Sequence, residues 1–142
     1  LRDTIWVLNK ENITVTGISD RIKSYINKID SSYEQQIEVK EKIEKDVRVG
    51  SQKALNIFRI VQEAIHNALK HSNAKNILVE IESNDTIRFT VSDNGKGMDL
   101  ANPASGHGLR NMQARANDAG IQLTVHSLPG QGTRLIIEST TN

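Results

Sequence analysis

The sequence predicts an α+β sandwich, an antiparallel sheet with helices packed on one of its faces. Two observations carry that expectation. Four stretches in the second half alternate apolar and polar residues, and they form two pairs, each joined by turn residues. Separate stretches repeat apolar residues at helical spacing, and one of them is apolar around most of its circumference. A chain of 142 residues is one domain's worth.

The elements follow in order. Leu1, Ile5 and Leu8 stand at helical spacing, with Trp6 and Val7 adding apolar surface. They read as the last turns of a helix that begins before Leu1. Ile18, Ile22, Ile26 and Ile29 mark an amphipathic helix, with Ser19 and Asp20 near its start as caps and Ser31-Ser32 ending it. Ile37 and Val39 alternate with Glu38 and Lys40, a strand pattern. Gly50-Ser51 opens the next helix, which runs to about His71. Ile77, Val79 and Ile81, then Ile87, Phe89 and Val91, form a hairpin around Asn84-Asp85. A loop holds Gly95, Gly97, Pro103, Ser105 and Gly106. Leu109, Met112, Ala116 and Ala119 give a further helix, stopped by Gly120. Ile121, Leu123 and Val125 alternate as a strand, Pro129-Gly130-Gln131-Gly132 turns the chain, and Thr133 to Glu138 closes a second hairpin.

Composition removes several classes of function. The formal net charge is +1, so nothing draws the chain toward nucleic acid or an anionic membrane. The absence of cysteine excludes disulfides, thiol catalysis and cysteine-ligated metal. No apolar run approaches the roughly 20 residues that span a bilayer. No signal peptide precedes the chain and Leu1 is not a start residue, so a soluble piece of something longer is expected.

Three segments carry chemistry. On the helix from Ser51, a step of about 100° per residue places Asn56, Arg59, His66, Asn67 and Lys70 within roughly 60° of Glu63. Apolar residues fill most of the remaining arc, so this narrow polar stripe should face a cleft; a solvated helix face is the plain alternative. Asn67 offers a neutral oxygen of the kind Mg²⁺ accepts beside phosphates and waters. Lys70, one turn on, could neutralise phosphate charge. Residues 87, 89, 91 and 93 share one side of a strand, so Asp93 points inward at the strand's end. A buried carboxylate needs a partner. Asp93 either caps its own glycine turn or accepts hydrogen bonds from an exocyclic amine such as that of adenine. Gly95 and Gly97 allow close backbone approach or positive φ. Gly106 and Gly108 precede a helix whose N–H groups and dipole suit phosphate. No GxxxxGK[ST] and no GxGxxG after a strand is present, which excludes a P-loop and a Rossmann site. His66 and His126 read as exposed or structural, and the sequons Asn12-Ile13-Thr14 and Asn84-Asp85-Thr86 as chance.

With these residues in place, the chain resembles the ATPase superfamily of DNA gyrase, the heat-shock chaperone, histidine kinases and MutL. The segment with Glu63, Asn67, Lys70 and His71 resembles its N box. Asp93-x-Gly95-x-Gly97 resembles the G1 box, and Gly106-His107-Gly108-Leu109 the G2 box. Gly132-Thr133 is similar to a late Gly-Thr whose threonine sits near adenine. Phe58-Arg59-Ile60-Val61-Gln62-Glu63-Ala64, the pair Lys70-His71, and Leu1-Arg2-Asp3-Thr4-Ile5-Trp6-Val7-Leu8 resemble the nitrate-sensor-like branch of sensor histidine kinases.

The resemblance implies a Bergerat fold, a two-layer sandwich with a mixed, mostly antiparallel sheet, helices on one face and a short ATP lid at about Met98 to Ser105. It implies a division into residues 1–10, the tail of the second dimerisation helix, and 11–142, the catalytic domain. ATP and Mg²⁺ are the implied cofactors. Asp93 would bind the adenine amine and Asn67 the metal; Lys70, His71 and the N–H groups around Gly106 and Gly108 would hold phosphates. Glu63 would act as a base or organise the metal's water. The phosphoacceptor histidine would lie upstream, on the dimerisation domain of a homodimer, and a response regulator would act downstream. The fragment alone would be monomeric and its setting cytoplasmic, with membrane anchoring of the parent protein left open. An anti-sigma-type serine kinase and a non-catalytic nucleotide sensor are the alternatives.

Overall fold

A computed structural model describes residues 13–29, 33–101 and 108–140. The expected helix tail at Leu1 to Leu8, the stop at Ser31-Ser32, and Pro103, Ser105, Gly106 and His107 lie outside the described residues. Among the described residues, ten elements run in the order β1 (Ile13–Thr14), α1 (Val15–Asn27), β2 (Gln36–Ile43), β3 (Arg48–Val49), α2 (Ser51–His71), β4 (Asn76–Ser83), β5 (Thr86–Asp93), α3 (Leu109–Ala119), β6 (Gln122–Ser127) and β7 (Thr133–Thr140).

Five strands make one sheet in the order β2-β4-β5-β7-β6, and β1 and β3 make a separate two-residue pair. Both expected hairpins are present, and each pairs antiparallel. The alternation of Ile37 and Val39 extends into an eight-residue strand, which pairs parallel with β4. The sheet is therefore mixed and mostly antiparallel, as the family resemblance implies, rather than wholly antiparallel, as the alternation alone suggests. Two parallel neighbours require a crossover, and α2 lies in that connection.

One sheet face is apolar because the alternation of the three central strands is in phase. Ile77, Val79 and Ile81 of β4, Ile87, Phe89 and Val91 of β5, and Leu135 and Ile137 of β7 pack with Val15, Ile18 and Ile22 of α1, most of the buried arc of α2, and Met112 and Ala116 of α3. The opposite face is polar, with Arg88 paired to Glu82 and Glu138 on the strands beside it.

The start of α1 differs from expectation. Its cap is Thr14, whose hydroxyl accepts from the Gly17 N–H at 3.1 Å, and the Asp46 carboxylate accepts from the Thr16 N–H at 2.9 Å. Ser19 and Asp20 lie inside the helix. Ser19 is fully buried and donates to Glu41 on β2 at 2.6 Å, while Lys23 meets the other Glu41 oxygen at 2.6 Å. A polar residue near the first isoleucine looked like a cap, but here it fastens the helix to the sheet's edge. The end of α3 agrees with expectation: Gly120 closes it in a left-handed conformation, its N–H donating to the helix's last carbonyls.

Candidate functional site

One rung of the sheet organises the site. Cross-strand pairing places Ser127 beside Thr133, Thr133 beside Asp93, Asp93 beside Ile77, and Ile77 beside Ile37. The apolar members fill the core at one end of the rung, and the polar members stand together at the other. Above them lies a cleft with about 520 Å³ of free space, its open mouth included. Ala64, Ala68, Val91, Met112 and Leu135 give it apolar walls, and Asn67, His71, Ser72, Asp93, Lys96 and Thr133 supply the polar groups.

The Asp93 end is built by backbone. Asp93 Oδ1 accepts from the Gly95 N–H at 2.8 Å, so the carboxylate does cap its own glycine turn. Burial pushes the Asp93 carboxyl above its ordinary value, while the N–H groups of Gly95 and Thr133 pull it back down. Asn94 Oδ1 accepts from both the Lys75 and Asn76 N–H groups, which ties the loop to the start of β4. The Lys96 N–H donates to the Ser72 carbonyl at 2.6 Å, and the Lys96 carbonyl accepts from the Gly130 N–H at 2.5 Å. Gly97 has φ +65°, and a Cβ there would collide with the Leu128 carbonyl. Only glycine meets both conditions without strain.

The α2 end is built by side chains. Ala64, Asn67, Ala68 and His71 share the helical arc that faces the cleft. This arc is rotated from the one centred on Glu63. Lys70 is exposed and stands outside the cleft, its ammonium over the Tyr33 ring at 5.7 Å. The Tyr33 hydroxyl, hydrogen-bonded to Lys70, holds that ammonium above its ordinary value. Glu63 is half-buried near Tyr25, whose phenol is pushed up by burial and then by the Glu63 charge. Glu63 also lies under the start of α3, where a Cβ on Gly108 would meet its Oε1 at 2.8 Å. Gly108 has φ +81° and caps α3 with no side-chain hydrogen bond, and Leu109 lines the cleft.

The structure thus brings Asn67, His71, Asp93, Gly97, Leu109 and Thr133 to one cavity, with Gly95 in the turn beneath and Glu63 beside Gly108. Lys70 is not among the lining residues. Gly106 and His107 lie outside the described residues. Sequence reasoning did not single out Ser72, Lys96 or Ser127 as site residues, and gave Met98 only as the start of the lid. The signal for Ser127 was its place opposite Thr133 across the second hairpin; Ser72 follows directly on Lys70-His71.

Comparison with known proteins agrees with this architecture. The family of histidine kinase-, DNA gyrase B-, and HSP90-like ATPases matches residues 52–140. The sensor protein VraS of Staphylococcus aureus (strain COL) is 38% identical over 89 residues, covering 61% of this chain and 26% of VraS. VraS of Staphylococcus haemolyticus (strain JCSC1435) aligns with the same identity and coverage. The chain therefore spans only 26% of the length of these relatives. Among solved structures, the Erythrobacter litoralis EL346 blue-light activated histidine kinase superposes with a TM-score of 0.65 at 27% identity, covering 87% of this chain and 40% of that one. The histidine kinase domain from the same protein shares the fold, with a TM-score of 0.63 at 21% identity over 89% of this chain and 60% of that one. With more than half of its residues matched, the chain belongs to the histidine kinase-, DNA gyrase B-, and HSP90-like ATPase family.

Proposed function

We propose that the chain is the ATP-binding catalytic domain of a two-component sensor histidine kinase, which passes the γ-phosphate to a histidine on a separate dimerisation domain. The observation that carries this reading is the single cleft lined by Asn67 and His71 from α2, Asp93 and Gly97 from the end of β5, Leu109 from α3 and Thr133 from β7. Apolar walls with a carboxylate at one end suit a purine whose amine donates to Asp93. The first turn of α3 suits phosphate, because its N–H groups and dipole are aimed there and Gly108 places no side-chain cap on them.

Mg²⁺ fits the residues present. No group of three His, Cys, Asp or Glu side chains is assembled among the described residues, so a cage made by protein alone is absent. Mg²⁺ bound with phosphates needs only one or two protein oxygens. Asn67 and Glu63 lie one helical turn apart and supply a neutral and an anionic oxygen. When bound, the ion would neutralise phosphate charge. Asn67 would hold it, and Glu63 would order the water around it. Lys70 would reach phosphate only by leaving Tyr33. The remaining work is positioning and electrostatics. The phosphate acceptor, a homodimeric partner and a downstream response regulator belong to the whole protein, and are proposed on the likeness to sensor kinases.

Titration calorimetry with ATP and GTP, each with and without Mg²⁺, tests the reading. ATP should bind more tightly than GTP, whose O6 would face the Asp93 carboxylate, and Mg²⁺ should strengthen ATP binding. Equal affinities for ATP and GTP would overturn it. A second test uses γ-labelled ATP. This chain alone should gain no stoichiometric acid-labile label. A separately supplied dimerisation domain with a phosphoacceptor histidine should gain label slowly, limited by encounter.

A further inference from the structure

Ser127 has one proton and two lone pairs, and three partners surround it. Its hydroxyl donates to the Gly132 carbonyl at 2.9 Å. It accepts from the Met98 N–H at 2.9 Å. It lies 2.8 Å from the Thr133 hydroxyl. Gly132 is buried, and a buried carbonyl needs its donor. With the Ser127 proton spent on Gly132, the Thr133 hydroxyl must donate to Ser127, because a hydroxyl carries only one proton. Thr133 is then left with lone pairs alone to show the cleft it lines. Its neighbour on the same rung, Asp93, is also an acceptor.

We propose that Ser127 is a positioning residue for base specificity: it fixes the Thr133 hydroxyl as an acceptor toward the cleft, so that the Asp93–Thr133 end selects a donor such as the adenine amine. The inference rests on the nucleotide reading above. Ser127 touches no ligand in this scheme and acts only through Thr133. A base with oxygen at ring position 6 meets two acceptors and is rejected, because neither can turn a proton to it. Removing Ser127 frees the Thr133 proton to rotate toward the cleft.

The test is calorimetric titration of ATP and inosine triphosphate, which carries oxygen in place of the amine, on the full chain. Ser127→Ala should lower the ATP-to-inosine-triphosphate affinity ratio about tenfold, the worth of roughly one hydrogen bond. Part of the change should be a gain in inosine triphosphate binding, which general loosening of the site would not produce. In a Thr133→Val background the same substitution should leave the ratio unchanged, since the hydroxyl it acts through is gone. An unchanged ratio after Ser127→Ala, equal weakening of both nucleotides, or a fall that persists in the valine background would each overturn the inference. If Ser127→Ala does not fold, Ser127→Cys carries the same expectation, because a thiol is a weak donor and a weak acceptor. ATP binding with an unmoved ratio refutes the role of Ser127 alone; a wild-type chain that binds neither nucleotide refutes the nucleotide reading and this inference together.

Discussion

The two ends of the cleft are made in different ways. At the Asp93 end, backbone amides and carbonyls of four segments are stitched together through Asn94, Ser72, Lys96 and Ser127 before any ligand arrives. At the other end, Asn67, His71 and Glu63 project from a single helix, Glu63 beside Gly108 at the start of α3, and Lys70 is turned to Tyr33. The first arrangement is preorganised and suits discrimination between bases, where a misplaced acceptor costs affinity directly. The second suits a highly charged group whose own oxygens and counter-ion complete the geometry. On the proposed reading, base specificity would lie on strands and charge handling on helix surfaces.

The sharpest way to break this comparison is Asp93→Asn. It should weaken ATP binding about 10- to 150-fold, the loss of a charge-assisted hydrogen bond of about 1.5–3 kcal/mol. The same variant should raise the melting temperature of the ligand-free chain at neutral pH. Burial raises the carboxyl's folded-state pKa, so its contribution to stability is full below the unfolded value of about 3.9 and is lost as pH rises through the folded value. The stability gap between variant and wild type should therefore widen with pH across that window. Melts that show no gap, or one that narrows with pH, would contradict the account of a carboxylate kept at a cost for binding.

Gly97→Ala should come next. A Cβ at φ +65° against the Leu128 carbonyl should destabilise the fold by about 1–3 kcal/mol, measured by urea denaturation. The same substitution at Gly50, where a Cβ has open space, should not. Asn67→Ala should leave the melting temperature within a few degrees while removing the Mg²⁺ enhancement of ATP binding, an effect of about tenfold; full retention of the enhancement would place the metal ligand elsewhere. Lys70→Ala should be the mildest, about two- to fivefold in ATP affinity and smaller in high salt, because the group is exposed. A loss as large as that of Asp93→Asn would mean that the helix end is as preorganised as the strand end.

Much of this was legible from periodicity. The in-phase alternation of residues 87, 89, 91 and 93 placed Asp93 inward, and the wide apolar arc of α2 called for a cleft on its narrow side. Gly120 and the two turn sequences marked ends that the structure keeps. What escaped was set by partners distant in sequence. Thr14 serves as a cap because Asp46 holds the amide beside it, and nothing local distinguishes it from Ser19. The pair formed by β1 and β3 is two residues long, too short for any period to register. The parallel neighbour of β2 follows from the crossover, not from its own residues. Lys70 shares the polar side of α2, yet Tyr33, ahead of β2, draws it from the cleft. Ser127 shares its side of β6 with the core residues Leu123 and Val125, and its polar partners show only when its rung is drawn across the sheet.

The place of α2 has a kinetic consequence. The hairpins of β4 with β5 and β6 with β7 join neighbours in sequence and can form early. The parallel pairing of β2 with β4 cannot, since it closes a loop that contains the whole of α2. The helix that carries Asn67 and His71 thus lies within one of two long loops that must close to complete the sheet, the other joining β5 to β7. Amide exchange from the buried turns of α2 should be slower than from β2, because the helix is packed in the core while β2 is an edge strand.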